Sequence, residues 1–434
     1  MRRYYAAPRY LWDFLKLKRN LRIEPAKLVN LQNRKLKRII KYAYDNVPFY
    51  HKLFDANNIR PSDIQTVADL KKIPFVIRAD IQNNLTDMLS VKVDAAKCVE
   101  KKTSGSSGVP LLLLEDHHAS NFKGAVSLRQ FLECGGRLRD KQVQLRERGA
   151  SSIPKDSSKP FYESLGLLRT KWIETNEIFD RILPFLGSYK PDIIVGYPSF
   201  LQLLAEISKG DVHPRIIFTT GEILSSHCRH LLKSTFNSKV IDSYGCAEVG
   251  DIAWECPDTS CGYHINSDSV ITEFIQDGEN VASGEEGEIV LTCLFNYAMP
   301  SIRYKIGDTG IPDDEKCTCG RTLPLMHAIE GRSDDFIILP DGRKLSPLGM
   351  VNMQDFVGIG VTKMMIIQEN TRLIQVLLKV TENVDADLIK KSIAYLQRIV
   401  GPEVKVEPHF VDMFPHFPSG KTRRVFSKMA NSSA

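Results

Sequence analysis

The sequence predicts an α/β protein, with a large N-terminal domain of packed sheets and helices followed by a small, mobile α+β C-terminal domain. Three observations carry this. At 434 residues the chain exceeds what one small core needs, so at least two domains are expected. Between about residues 95 and 300, short apolar β-prone runs alternate with helical stretches, the pattern of buried sheets flanked by helices. After about residue 334 the texture changes to short strands around one amphipathic helix.

Taken in order, residues 25–60 read as helical, because Leu28, Leu31, Leu36, Ile39, Ile40 and Tyr42 recur near helical spacing, and Pro48 is expected to close the run. Residues 111–114, 193–195 and 216–218 are expected strands, and 200–207 an expected helix. Strands are expected over 364–368, 373–380 and 404–411, with a helix over 386–400. The boundary is placed between Gly331 and Asp335, giving domains of residues 1–333 and 334–434. The tail, 430–434, is expected to be disordered.

Composition excludes several classes. Hydrophobic content of 43% and charged content of 25% are those of a soluble globular chain. No stretch approaches the ~18 consecutive apolar residues of a membrane span. No apolar run of signal-peptide length follows Met1, so a cytoplasmic location is expected. Nine cysteines scattered over a long chain read as reduced thiols or metal ligands rather than a disulfide framework. The net charge of +6 is mild and its basic residues are interleaved with acids, so small anions are expected as partners and nucleic acid is not. Basic clusters over 16–22 and 34–41 read as solvated helix faces, with a partner site as the alternative.

The first chemical signal is Thr103-Ser104-Gly105-Ser106-Ser107-Gly108-Val109-Pro110, which precedes an apolar strand and crowds four hydroxyls and two glycines into six residues. Such a loop wraps phosphates, because glycines let backbone amides approach an anion and hydroxyls add hydrogen bonds without bulk. No Lys follows Gly108 and the loop precedes the strand, so it is not the P-loop of NTPases. Alone, it reads as well as a flexible turn.

Five further segments follow: Thr219-Thr220-Gly221-Glu222, Tyr244-Gly245-Cys246-Ala247-Glu248, Tyr304-Lys305-Ile306-Gly307-Asp308, Gly331-Arg332-Ser333-Asp334-Asp335 and Pro418-Ser419-Gly420-Lys421-Thr422-Arg423. In this order, over nearly the whole chain, the six resemble the adenylate-forming superfamily of acyl-CoA synthetases, luciferases and nonribosomal-peptide adenylation domains. The run 42–50 (Tyr-Ala-Tyr-Asp-Asn-Val-Pro-Phe-Tyr), Gly196-Tyr197-Pro198-Ser199 and Gly262-Tyr263-His264-Ile265-Asn266 look most like the phenylacetate-CoA ligase group. That group also includes capsule-biosynthesis-type proteins and deazaflavin-adenylating synthetases.

The resemblance implies roles for the matching residues. Thr103 and the stretch from Ser104 to Gly108 would hold the ATP phosphates. Gly221 and Glu222 would border the adenine, Tyr244, followed by Gly245, would stack on it, and Asp308 would accept from the ribose hydroxyls. Glu248 is implied as the Mg²⁺ ligand, a carboxylate suited to a hard cation. Arg332 would lie near ribose or phosphate, and Asp334, with Asp335 as its rival, matches the hinge of the small domain. Lys421 would be the catalytic lysine, neutralising charge on the α-phosphate and bridging oxygens. Ala247 departs from the pattern, since many superfamily members carry Thr there.

Cys256, Cys261 and His264, followed some fifty residues later by Cys317 and Cys319, resemble two knuckles of a structural Zn²⁺ site over residues 256–319. Five candidates exceed four places: Cys256, Cys317 and Cys319 are the firmest, and His264 or Cys261 completes the set.

The expected reaction is attack of a carboxylate, aryl or arylacetic, on the α-phosphorus of ATP, with loss of pyrophosphate. Rotation of the small domain about Asp334 would then withdraw Lys421 and admit the thiol of coenzyme A to the acyl-AMP. Tyr197, Phe200 and Phe218 hint at an aromatic guest, and core packing explains them equally well. The alternatives are an adenylyltransferase acting on a hydroxyl or phenol and a non-catalytic nucleotide-binding homologue. A homodimer is the assembly the resemblance suggests.

Overall fold

Two prolines punctuate the first helical segment. Pro25 opens a helix, Pro25–Asn46, and Pro48 opens the next, Pro48–Ala56, each at a first-turn position where the missing N–H costs nothing. The expected single run is therefore two helices separated by the extended residue Val47, and Pro48 begins an element as well as ending one. The computed structural model describes residues 7–102, 111–146, 165–174, 179–208, 210–222, 224, 226–259, 261–330, 337–345, 361–380, 384, 386–413 and 425–429.

The described chain is of α/β class and divides into two units. One comprises residues 7–102, 111–137 and 241–330; the other comprises 138–240 and the described residues after 336.

In the first unit the sheet is antiparallel, in the order Lys239–Cys246, Gly250–Glu255, Tyr263–Ile265, Leu325–Glu330, Tyr304–Asp313, Gly287–Cys293, Val270–Gln276 and Glu279–Asn280. Leu36, Ile39, Ile40, Tyr50 and Phe54 from the two Pro-initiated helices pack in one core with Ile289, Leu291 and Ile302 of the sheet region. A separate hairpin pairs Val99–Lys102 with Leu112–Glu115, Lys102 facing Leu112, so the Gly/Ser segment is the connection of two antiparallel strands.

A buried ion pair ties this unit together. Arg129 and Asp268, both fully buried, meet at 2.7 Å, and Asn20, Asn266 and the Leu17 carbonyl supply further bonds. Burial pushes the Asp268 carboxyl up, but Arg129 and Lys35 outweigh it and hold it below the usual range. A depressed native value means stability that is complete above the ordinary carboxylate range and lost as pH falls through the native value. Acid titration followed by circular dichroism is therefore expected to show a transition of Asp268→Asn that is less pH-dependent below about pH 4 than that of the parent.

In the second unit four parallel strands run in the order Ile216–Thr220, Ile193–Gly196, Lys141–Arg146, Arg169–Glu174. Their apolar faces pack on Phe179–Tyr189, Pro198–Ile207 and Ser226–Phe236, with Ile194, Leu201, Ile217 and Leu232 fully buried. A second sheet orders Lys405–Phe410, Leu373–Val380, Val361–Asn370 and Val425–Ser427. Ile389, Leu396 and Val400 of helix Ala386–Val400 fill its core with Ile366, Ile374 and Val376. Among the described residues no helix is long and apolar enough to cross a membrane.

Candidate active site

Two bulges build the centre of the site. In the pair Lys239–Cys246 and Gly250–Glu255 the register slips between Tyr244 and Gly245. A Cβ on Gly245 would lie 2.6 Å from the Gly250 carbonyl oxygen, so only glycine fits there. Between Gly287–Cys293 and Tyr304–Asp313, Lys305 faces Val290 and Thr309 faces Glu288, which leaves Ile306, Gly307 and Asp308 opposite Ile289 alone. Gly307 adopts φ 85, and the bulge re-aims the residue after it.

The result is that Tyr244 and Asp308, 64 residues apart, meet: the Tyr244 hydroxyl donates to Asp308 Oδ2 at 2.9 Å. Beside them the Tyr304 hydroxyl donates to Glu248 Oε1 at 3.2 Å. Burial, then the Glu248 charge, raises the Tyr304 phenol well above the ordinary tyrosine value, so it remains a donor to the carboxylate at all working pH values. Glu248 is itself buried, on the turn after Lys239–Cys246, and Cys246 beside it is pushed up first by burial and then by the same carboxylate. A buried carboxylate is a ligand type that Mg²⁺ accepts, since it takes one or two protein carboxylates and completes its shell with phosphate and water.

Lys123 has no signal in the sequence. Its ammonium bonds Glu115, at the end of the hairpin strand that follows the Gly/Ser segment, and the carbonyls of Ala247 at 2.8 Å and Glu248 at 3.2 Å. Glu115 is almost fully buried, and Lys123 sits in helix His117–Glu133. This one cation fixes the end of the hairpin to the backbone of the Glu248 turn. Lys123→Met is expected to lower stability by about 2 kcal/mol, because it leaves a buried carboxylate and two carbonyls without their donor. Urea unfolding measures it; an unchanged midpoint would show that the contact is idle.

In the second unit Gly221 adopts φ 80, and Glu222 follows it just beyond the strand Ile216–Thr220. A Cβ on Gly221 would lie 2.5 Å from the ring of Tyr197. The close approach that requires glycine is therefore made by an aromatic of this chain. Phe200 and Phe218 are buried, Phe200 within the apolar core, so packing accounts for Phe200. Thr103, Ser104, Gly105, Ser106, Ser107, Gly108, Arg332, Asp334, Asp335 and Lys421 lie outside the described residues, as does the tail 430–434.

The soft-ligand cluster is brought together by tertiary structure. The ligating atoms of Cys256, His264, Cys317 and Cys319 all lie within 4.8 Å of one another. Cys256 and Cys317 sulfurs are 3.7 Å apart and Cys319 Sγ is 3.3 Å from His264 Nε2. A tetrahedron with Zn–S of about 2.3 Å and Zn–N of about 2.0 Å has edges of roughly 3.5–3.8 Å, so these spacings are near those of a closed four-ligand site. Backbone amides of Cys319 and Arg321 point at the sulfurs of Cys317 and Cys319, at 3.5 and 3.4 Å, but burial outweighs them and holds both thiols above the ordinary cysteine value, so metal binding is what would take their protons off. Burial, with the Arg321 charge, pushes His264 down to about 4, leaving the neutral imidazole that ligates metals. Cys261 falls outside the set of four, with its sulfur 2.8 Å from that of Cys317.

The C-terminal part, residues 337–428, matches the family model of the CapK C-terminal domain. The chain is 28% identical over 327 residues to a phenylacetate-coenzyme A ligase of Thermus thermophilus, covering 72% of each chain. It is 24% identical over 408 residues to the protein CapK of Staphylococcus aureus, covering 91% of this chain and 88% of that one. In fold it is similar to a 2-hydroxyisobutyryl-CoA ligase solved with its acyl-AMP and CoA, at a TM-score of 0.66 and 20% identity, over 94% of this chain and 91% of that one.

Proposed function

Since the chain belongs to the adenylate-forming superfamily, in the group of phenylacetate-CoA ligases and CapK-type proteins, we propose that it activates a carboxylic acid as its acyl-AMP and passes the acyl group to coenzyme A. The observation that carries the reading is the paired arrangement of Tyr244 with Asp308 and Tyr304 with Glu248, on two bulged strands, at the positions of the superfamily's nucleotide motifs.

In the first step a carboxylate oxygen forms a bond to the α-phosphorus and the bond to the bridging oxygen breaks, releasing pyrophosphate. In the second, the thiol sulfur of coenzyme A bonds to the acyl carbon, AMP leaves with the electron pair, and the thiol proton passes to solvent. Asp308 accepts from the ribose hydroxyls, exchanging its bond from Tyr244, whose ring faces the adenine. Mg²⁺, when bound, supplies positive charge against the phosphates, and Glu248, oriented by Tyr304, is the residue to hold it. The Gly/Ser segment from Thr103 to Gly108 cradles the phosphates, and Lys421 neutralises the charge that builds up between the α-phosphate and the leaving group. Gly221, Glu222 and Arg332 border the nucleotide, and residues 334–434 swing about Asp334 between the two steps. A structural Zn²⁺ on Cys256, His264, Cys317 and Cys319 holds the 256–319 region in shape.

The acid is aryl or arylacetic on the strength of the phenylacetate-CoA ligase relatives. A second reading, adenylyl transfer to a hydroxyl acceptor, would use the same nucleotide motifs. Release of pyrophosphate and AMP from ATP, across a panel of aryl, arylacetic and aliphatic acids with and without coenzyme A, separates them. Acid-dependent pyrophosphate release with AMP release that requires coenzyme A is expected. Pyrophosphate release that needs a hydroxyl compound and ignores every acid would sink the ligase reading.

A further inference from the structure

Helix Ala7–Asn20 has two apolar faces, of which one is engaged. On the inner face Tyr10 donates to the Gly124 carbonyl at 3.2 Å, Leu17 is buried with its carbonyl bonded to Arg129, and Asn20 bonds Asp268. At the helical repeat, Leu11, Trp12 and Leu15 fall together on the opposite face, each 55% exposed. A single exposed leucine is ordinary. Three large apolar side chains in one patch, on a helix anchored from behind, mark an interaction surface.

The border of the patch is basic. Lys18 flanks it on one side and Arg9 and Lys16 on the other, with Arg19 in line with it, all exposed. The Lys16 ammonium lies 3.0 Å from the centroid of the Trp12 ring. Its pKa is lowered, first by burial and then by the charges of Arg34 and Arg19, against the pull of Asp13. The exposed cations of helix Pro25–Asn46, Arg34 and Lys37 among them, thus extend the same field. Residues 1–41 hold thirteen Lys and Arg against two Asp and Glu, a net of +11, whereas the whole chain nets +6, so the remainder nets −5.

We propose that this face docks the protein on an anionic phospholipid surface, with Leu11, Trp12 and Leu15 in the interfacial layer and the surrounding cations against headgroup phosphates. The combination is that of an interfacial helix, apolar contact reinforced by attraction to anionic lipid. Nucleic acid would use the cations but gain nothing from two leucines. A second copy of the chain would bring like charge against like charge at the same patch.

The full-length protein is sedimented with vesicles of phosphatidylcholine alone and of phosphatidylcholine with about one third phosphatidylglycerol. Binding is expected only to the anionic vesicles and is expected to weaken with salt. The triple variant K16E/K18E/R19E is expected to lose at least about 100-fold in partition, since three attractive charges are removed. L11S/L15S is expected to lose about tenfold or more. Both variants alter exposed side chains, so thermal melting within error of the parent shows that they remain folded. The proposal is overturned by absence of binding to anionic vesicles, by equal binding to both compositions, or by indifference to both variants. Preference for a duplex oligonucleotide over the vesicles would overturn it as well, as would a solution dimer that L11S/L15S dissolves.

Discussion

Lys421→Ala is expected to slow acid-dependent pyrophosphate release by about 10²–10³-fold, the usual cost of removing one preorganised charge aimed at a developing anion. In the proposed reaction the leaving pyrophosphate carries charge that grows only as the bond to the α-phosphorus breaks, so the lysine would act on the transition state rather than on ATP as bound. Two companion measurements follow from that. ATP affinity is expected to remain near that of the parent, and acyl-AMP supplied ready-made is expected to react with coenzyme A at the parent rate, because the proposed rotation about Asp334 has by then withdrawn Lys421. A variant that loses both half-reactions together would point to a structural role for the segment 418–423.

Removing the proposed Zn²⁺ is expected to cost the first unit about 4 kcal/mol. Cys256 and Cys317 are 61 residues apart, and a crosslink closing a loop of that length removes roughly that much chain entropy from the unfolded state. For a unit of this size the corresponding fall in melting temperature is on the order of 10 °C. Metal content by a chromophoric chelator, read beside the melt, checks it. Cys317→Ser and His264→Ala are expected to lose the metal and the stability together, whereas Cys261→Ser keeps both, since Cys261 stands outside the four converging donors. A parent protein purified without metal, melting no lower after chelation, would remove zinc from the account.

The helix Ala386–Val400 was legible to the residue, because amphipathic spacing reports a helix that buries one face. Strands were legible to within one to three residues, as at Leu112–Glu115 and Val361–Asn370, since apolar runs show burial but not where pairing stops. Pro48 was misread as a terminator alone: proline stops the preceding helix through its effect on the residue before it, and at the first position it also starts one.

Order and chemistry of the motifs singled out Tyr244, Glu248, Asp308 and the cysteine knuckles as candidates, because the proposed roles depend on residue type at fixed places along the chain. Which residues touch was a matter of packing. The bond between Tyr244 and Asp308, and the orientation of Glu248 by Tyr304, depend on two register slips that leave no mark in composition. Lys123 reads as one lysine among many until the fold lays the Glu248 turn beside it. The choice of His264 over Cys261 was likewise open in a linear chain, where both lie within eight residues of Cys256. Strand Tyr263–Ile265 carries the imidazole inward to the three sulfurs, and that convergence favours His264 as the fourth proposed ligand, because a ligand set is defined by convergence in space and sequence spacing only bounds what can converge.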